Sequence, residues 1–324
     1  MSDRLVVRNL SPSSDSLNDA LFVYCIGYES RSRFAAEYCR WSPKKTIAVE
    51  YSAGQVLSFD ENRTFARKNE FVTVSDREGF VEQALSRAIS TMRSLEGTAS
   101  VAVDVSSMDR SLMSRVLLKA LDDLNTGETM FVLYSPSAFV EPKSNLVPIR
   151  QSTAAHPSIA GQVAAPDLER VALLGVGYEY GVSLSILESH EPDISFIFRP
   201  NGVDERFKTA VRDANFGFDF GERNYEIVDY FLHDMAGAYD DISSIIFATK
   251  HNSSIIAVPM GPKILSAAMI LAGRLHQPQV SVLRYSVAPG GNYQDIGAEG
   301  ILVGMEVTVI KGDDGQSGAG SKPR

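Results

Sequence analysis

The chain has 324 residues, 44% of them hydrophobic, and a formal net charge of −9. That length gives enough core for two ordinary domains without disulfide or metal support. The acidic balance argues against nucleic acid as the main partner, because a phosphate backbone is bound by a basic field. No apolar run reaches the roughly 18–20 residues of a membrane-spanning helix.

The opening residues MSDRLVVRNLSPSSDS lack the apolar segment of a secretion signal. Cys25 lies in an apolar run and Cys39 in a predicted helix, with no metal-ligand company. The expectation is a cytoplasmic protein with two reduced thiols. Residues 5–7 read as a short edge strand and 11–16 as a polar linker. Residues 22–26 form a continuous apolar run, the pattern of a strand buried on both faces. A turn at 27–32 leads to a helix over 33–41, where Phe34, Tyr38 and Trp41 fall at helical spacing and Pro43 stops the run. Strands follow at 46–49 and 71–74, with a polar helical stretch at 62–68 between them. A long amphipathic helix is predicted over 79–95, a strand over 101–105, a helix over 110–124 and a strand over 130–134. Strands alternating with helices imply a parallel sheet of right-handed βαβ units.

Residues 135–166 are rich in Pro, Ser and Ala and read as a crossover between domains. The pattern then restarts: strand 171–176, helix 182–188, strand 194–198, helix 225–239 (with His233 on it), strand 255–258, helix 264–275 and strand 280–283. Residues 242–249 fit a helix or a strand. Residues 301–310 alternate apolar and polar side chains as a final strand, and the stretch from Lys311 to the end reads as a disordered tail. The fold class expected is α/β, with two tandem Rossmann-like units over residues 1–150 and 151–310 and mainly parallel sheets. An internal duplication accounts for two landmarks. Gly27 and Gly177 both open a Gly-Tyr-Glu turn after an apolar strand, 150 residues apart; Arg110 and Lys263 both open a helix, 153 residues apart.

In an open parallel sheet, ligands bind beyond the carboxyl ends of the strands, where the strand order reverses. A 3-2-1-4-5 order would bring together the loops after the first and fourth strands of each unit. The ligand-binding candidates are therefore Gly27, Tyr28, Glu29, Ser30, Arg31, Asp104, Ser106, Ser107 and Arg110 in the first unit. In the second they are Gly175, Gly177, Tyr178, Glu179, Gly261 and Lys263. Helix N-termini offer free N–H groups to an anion, and the Arg and Lys side chains offer charge-assisted hydrogen bonds. The bland alternative is that Ser106, Ser107 and Asp109 simply cap the next helix. Asp104 is open between a general base or metal ligand, an orienter of Arg110 and a partner for a ligand hydroxyl. Gly175, Gly177 and Gly181 approximate a dinucleotide fingerprint with one extra residue, so a nucleotide or dinucleotide is the candidate cofactor. Glu50 and Arg199 occupy the strand ends that would meet a ribose or its phosphate.

Catalytic constellations are sparse. The five histidines, His156, His190, His233, His251 and His276, have no metal-ligand spacing, and no metal site is expected. A tandem of such units with hydroxylic and basic strand-end loops, here DVSSMDR (104–110) and MGPK (260–263), resembles the CARF and SAVED sensor domains of prokaryotic defence systems. The resemblance implies a composite pocket for cyclic oligonucleotide phosphates and a sensor or accessory subunit with a protein partner or a second copy of itself. Three functions stay open: a non-catalytic binder of a small anionic nucleotide-like ligand, an NAD(P)-dependent or nucleotide-processing enzyme, and a structural subunit. Replacing Arg110 or Lys263 by Ala is expected to weaken anion binding with little loss of stability, unless each cation merely pairs with a carboxylate such as Asp104 or Glu29.

Overall fold

The computed structural model describes residues 3–11, 15–39, 41–141, 149–162, 167–179, 181–202, 204–215, 224–287 and 293–312. The predicted tail lies, from residue 313 onward, outside the described residues. In chain order the elements are β1 (Arg4–Asn9), α1 (Asp15–Asp19), β2 (Leu21–Ile26), α2 (Phe34–Tyr38), β3 (Thr46–Glu50), α3 (Phe59–Lys68), β4 (Val72–Ser75), α4 (Phe80–Glu96), β5 (Ser100–Asp104), α5 (Arg110–Asp123) and β6 (Thr129–Tyr134). Then come β7 (Ile149–Ala154), β8 (Glu169–Gly175), α6 (Val182–His190), β9 (Ile194–Asn201), α7 (Glu205–Asn215), β10 (Tyr225–Phe231), α8 (Met235–Thr249), β11 (Ser253–Val258), α9 (Lys263–Leu275), β12 (Val280–Val287) and β13 (Val303–Ile310).

The strands form two sheets, one of order β1-β13-β6-β5-β2-β3-β4 and one of order β10-β9-β8-β11-β12-β7. Five parallel strands in each follow the same 3-2-1-4-5 plan, so both sheets reverse order between their first and fourth strands. The protein is thus two Rossmann-like α/β units built on one plan. β2 is buried along its whole length, as its unbroken apolar run requires.

Two expectations need correcting. Residues 303–310, assigned from sequence to the second unit, pair antiparallel with β6 and β1 in the first sheet. Their alternation marks a strand with unlike faces but carries no information about which sheet accepts it; Gly304 fits here because a Cβ would stand 2.2 Å from the Val132 carbonyl oxygen. Residues 225–239 are not one helix. They are the edge strand β10, a turn holding the exposed His233, and the start of α8, which also settles residues 242–249 as helix. An edge strand with one well-buried side chain, Tyr230, lacks the continuous apolar run of a central strand, and its apolar residues fell by coincidence at helical spacing. Asp234 is the boundary signal, capping α8 by accepting from the Gly237 N–H.

Helices α5, α8 and α9 form the seam between the units. α9 is buried from Ile264 to Gly273, the pattern of a helix enclosed on all sides. Its Ile264, Ala268 and Leu271 belong to the same core as Leu112, Val116 and Ala120 of α5 and Met235 and Ile242 of α8. The seam continues outward through the Arg274–Asp122 ion pair and the bonds joining Asn9 to Asp234 and Ala236. It fixes α5 and α9, and therefore the two fourth-strand loops that precede them.

Candidate functional site

The loop after β2 is held from three sides. Asn62 of α3, fully buried, donates from Nδ2 to the carbonyls of Gly27 (3.0 Å) and Glu29 (2.9 Å). Asp295, from the segment between β12 and β13, accepts from the Ser30 N–H at 2.6 Å and from the Ser58 hydroxyl. Arg31 is buried; its Nε donates to Glu29 at 2.8 Å, one terminal nitrogen donates to the Ser135 carbonyl, and the Tyr134 hydroxyl lies beside it. Burial pushes the Arg31 pKa down, but Tyr134 and Glu29 more than offset this and it ends above the ordinary value.

In the loop after β5, Asp104 turns inward. It accepts from both the N–H and the hydroxyl of Ser106, and the Ser106 oxygen accepts from the Ser135 N–H at 2.8 Å. Burial raises its pKa to about 6 against the opposing hydrogen bonds of Ser106. Asp104 therefore fastens β5 to the loop after β6 and does not orient Arg110. Asp109 is the N-cap of α5, accepting from Ser111 and Leu112. Arg110 crosses the seam: Nε donates to the Pro259 carbonyl and a terminal nitrogen to that of Gly261 at 3.5 Å. Neither Glu29 nor Asp104 pairs with it.

The second unit repeats the first loop's fastening. Asn215 of α7 donates to the Gly177 carbonyl, as Asn62 does to that of Gly27, and each Asn oxygen accepts from the segment that follows, from Arg33 (3.5 Å) or Ser183 (2.8 Å). Asn62 and Asn215 are 153 residues apart, the spacing of Arg110 and Lys263. Among the described residues each Asn is the one donor to the carbonyl of its Gly, Gly27 or Gly177. Asn62→Ala should cost about 2–4 kcal/mol, two lost bonds with the Gly27 carbonyl left buried and unpaired and the Glu29 carbonyl left to the Ser32 N–H, whereas the exposed Asn69→Ala should cost under ~1 kcal/mol; urea unfolding of both variants compares them.

The near-fingerprint at Gly175 and Gly177 has a different use from the expected one. A Cβ at Gly175 would lie 2.6 Å from the Met260 carbonyl oxygen, and one at Gly177 would lie 3.0 Å from the Gly261 Cα. The closeness a pyrophosphate would need is taken up by the turn after β11. The strand-end partners are committed as well: Glu50 pairs with Arg63, and Arg199 forks onto Asp229.

Lys263 crosses the seam in the opposite sense to Arg110. Half-buried at the start of α9, it stands within electrostatic reach of Cys25, Glu29, Arg31, Asp104 and Arg110. Burial, then Arg31 and Arg110, lower its pKa to about 8, with Glu29 opposing. Among the described residues its ammonium has no hydrogen bond or ion pair. Beside the same loops the hydroxyls of Ser32, Ser107 and Ser135 are buried without partners. A Cβ at Gly27 would touch both Ser107 and Ser32. Glu29, Arg31 and Arg110 thus stand within electrostatic reach of Lys263, and Ser107 packs against Gly27 beside them. Tyr28 leans instead on Tyr293, Ser30 is tied to Asp295, and Asp104 and Ser106 lie beneath the surface.

A cleft of about 640 Å³, counted with its open mouth, adjoins these loops. Gly177, Tyr178, Glu179, Gly261 and Pro262 line it from the second unit; Tyr134, Pro136, Ser137 and Glu299 line it from the first. Sequence reasoning missed Asn62, Asn215, Tyr134, Ser135 and the whole 293–302 segment. The repeat spacing would have found the two Asn residues; nothing local marks the others. Among the described residues no three of His, Cys, Asp and Glu are grouped as metal ligands, and no helix is long and apolar enough to cross a membrane.

No family model matches the chain, and no curated protein matches it. Among solved structures, the binary complex of leucoanthocyanidin reductase with NADPH from Vitis vinifera aligns at 9% identity with a TM-score of 0.24, over 81% of this chain and 92% of that one. So slight a likeness carries no argument about function.

Proposed function

We propose that this chain binds a phosphate-bearing ligand of the nucleotide class, without transforming it, in the crevice where the strand ends of its two units meet. The observation that carries the reading is the Lys263 ammonium, unpartnered among the described residues and held beside two guanidinium groups at a cost visible in its lowered pKa. Glu29 and Asp104 lie within electrostatic reach of Lys263 but neither pairs with it, so a bound anion would still relieve the grouped cations. The unpartnered hydroxyl of Ser107, the one of the three whose residue is not fully buried, would supply a further hydrogen bond there. Sensing of a cyclic oligonucleotide by a cytoplasmic subunit of a defence system, with a protein partner, belongs to the same proposal and rests on the resemblance to CARF and SAVED domains. A dinucleotide enzyme has less support, because the Gly175–Gly177 approach is filled and Asp104 is tied to Ser106.

The test is thermal shift and calorimetry with inorganic pyrophosphate, mononucleotides, cyclic oligonucleotides and NADPH. A ligand at 100 times its Kd adds about 2.7 kcal/mol. No stabilisation by any of them, or stabilisation unchanged in Lys263→Met, would overturn the reading. Binding should also depend on pH in a definite direction. A bound anion raises the pKa of Lys263 above its free value of about 8. Affinity should therefore be level below pH 8 and fall by up to about tenfold per pH unit above it, with proton uptake on binding. Calorimetry in buffers of unlike ionisation enthalpy reads both effects, and a flat profile to pH 9.5 would count against Lys263.

A further inference from the structure

The cleft beside the crevice holds two carboxylates, Glu179 and Glu299, and none of its lining residues is a cation. Among the described residues neither carboxylate accepts a hydrogen bond or joins an ion pair. Glu179 is exposed at the mouth and faces Arg110 from a distance. Glu299 is half-buried, and its backbone is fixed: its N–H donates to the Pro136 carbonyl at 2.9 Å, and its neighbour Ala298 bridges to Ser137. One wall is aromatic, with Tyr178 against Phe207 at 5.8 Å and Phe207 against Phe139 at 5.1 Å. The floor is Gly261 and Pro262, which lead directly into Lys263.

We infer that this cleft is the base subsite of the same ligand and that it takes a base presenting adjacent N–H donors, guanine in preference to adenine. The inference rests on the proposed phosphate site at Lys263, because the 261–263 turn joins the two. An ionised carboxylate accepts hydrogen bonds and donates none. The N1–H and 2-amino groups of guanine offer it two donors side by side. Adenine offers one amino group next to N1, a lone pair that a carboxylate repels. The aromatic wall provides a stacking face, which holds any base and so leaves the choice to the carboxylate.

The experiment compares guanosine, inosine and adenosine 5′-monophosphates, guanosine itself and inorganic pyrophosphate on the full chain by calorimetry. Guanosine monophosphate should bind at least about tenfold tighter than the adenosine compound, with inosine between, since a polar site discriminates by the partners it leaves unpaired. Glu299→Gln should remove that preference while leaving pyrophosphate binding intact. Lys263→Met should weaken pyrophosphate but not guanosine. Equal or tighter binding of the adenosine compound, an undiminished preference in Glu299→Gln, or no binding of guanosine and its monophosphate at millimolar concentration overturns the base subsite. Pyrophosphate binding that depends on Lys263 would leave the phosphate site standing in each of those cases.

Discussion

Replacing Lys263 by Met should raise the melting temperature of the free protein and weaken its binding of phosphate-bearing ligands by about 10- to 100-fold. The gain in stability follows from linkage. The folded-state pKa of Lys263 is about 8 against an unfolded value of 10.5. Between those values the unfolded chain holds the extra proton, so stability rises with pH across that window. Below pH 8 the full penalty of the buried charge is present. A tenfold change in an acid dissociation constant corresponds to about 1.4 kcal/mol; solvent screening at a half-buried ammonium leaves about 1–3 kcal/mol to be recovered at pH 7. Met keeps the length and apolar stem of Lys, so little packing is lost. The loss in affinity is that of one charged hydrogen bond, about 1.5–3 kcal/mol. Arg110→Ala should behave differently, because its guanidinium already serves the carbonyls of Pro259 and Gly261; its removal leaves that of Gly261 unpaired and that of Pro259 to the Ser266 hydroxyl alone. For Arg110 these two bonds revise the expectation that replacement by Ala costs little stability. A lower melting point for Lys263→Met would mean that the residue is a structural cation held by Glu29, and the ligand site would lose its main support.

The asymmetry between Arg110 and Lys263 also shows how far the sequence could be read. Each residue opens a helix after a strand, and the apolar runs with their glycine turns were enough to expect two α/β units and four strand-end loops; the 3-2-1-4-5 order was a condition of that reading, and the third strand of the second unit, β10, was read as helix. Which side of the seam each cation serves was not legible, because α5 and α9 meet only through tertiary packing. Asp104 looked like a ligand group because strand ends are where ligands bind. In the structure, Ser106 and Ser135 satisfy it within the first unit. Arg199 looked like a ribose partner until β10 brought Asp229 alongside it, and β10 itself was hidden because a half-exposed edge strand has no pattern of its own. The 293–302 segment contributes Asp295 and Glu299 to the two sites, although 265 residues separate Asp295 from the Ser30 it holds. Its residues, a mixture of polar, glycine and apolar side chains, carry no pattern in sequence, and they become significant where the chain returns to pair β13 with β6.

Gly261→Ala should be among the most damaging single substitutions in the chain, costing about 3–5 kcal/mol. Gly261 has φ +72, a conformation that by itself costs an L-residue about 1–2 kcal/mol. The larger part is steric. A Cβ there would stand 2.2 Å from the Val176 carbonyl oxygen and 2.8 Å from its carbon, both backbone atoms of the loop after β8. No rotamer change relieves a clash with backbone, so one of the two loops must move. Either movement disturbs the acceptors of Arg110 and the start of α9, from which Lys263 projects. Ligand affinity should therefore fall together with stability, unlike the opposed changes expected of Lys263→Met. Gly300→Ala separates conformation from contact: Gly300 also has positive φ, at +94, but a Cβ there meets nothing within 4 Å. It should cost only the backbone term, about 1–2 kcal/mol. Urea unfolding with an unchanged m-value measures both. If Gly261→Ala costs no more than Gly300→Ala, the turn after β11 yields easily, and the close packing of the second unit's two loops does not hold the crevice in shape.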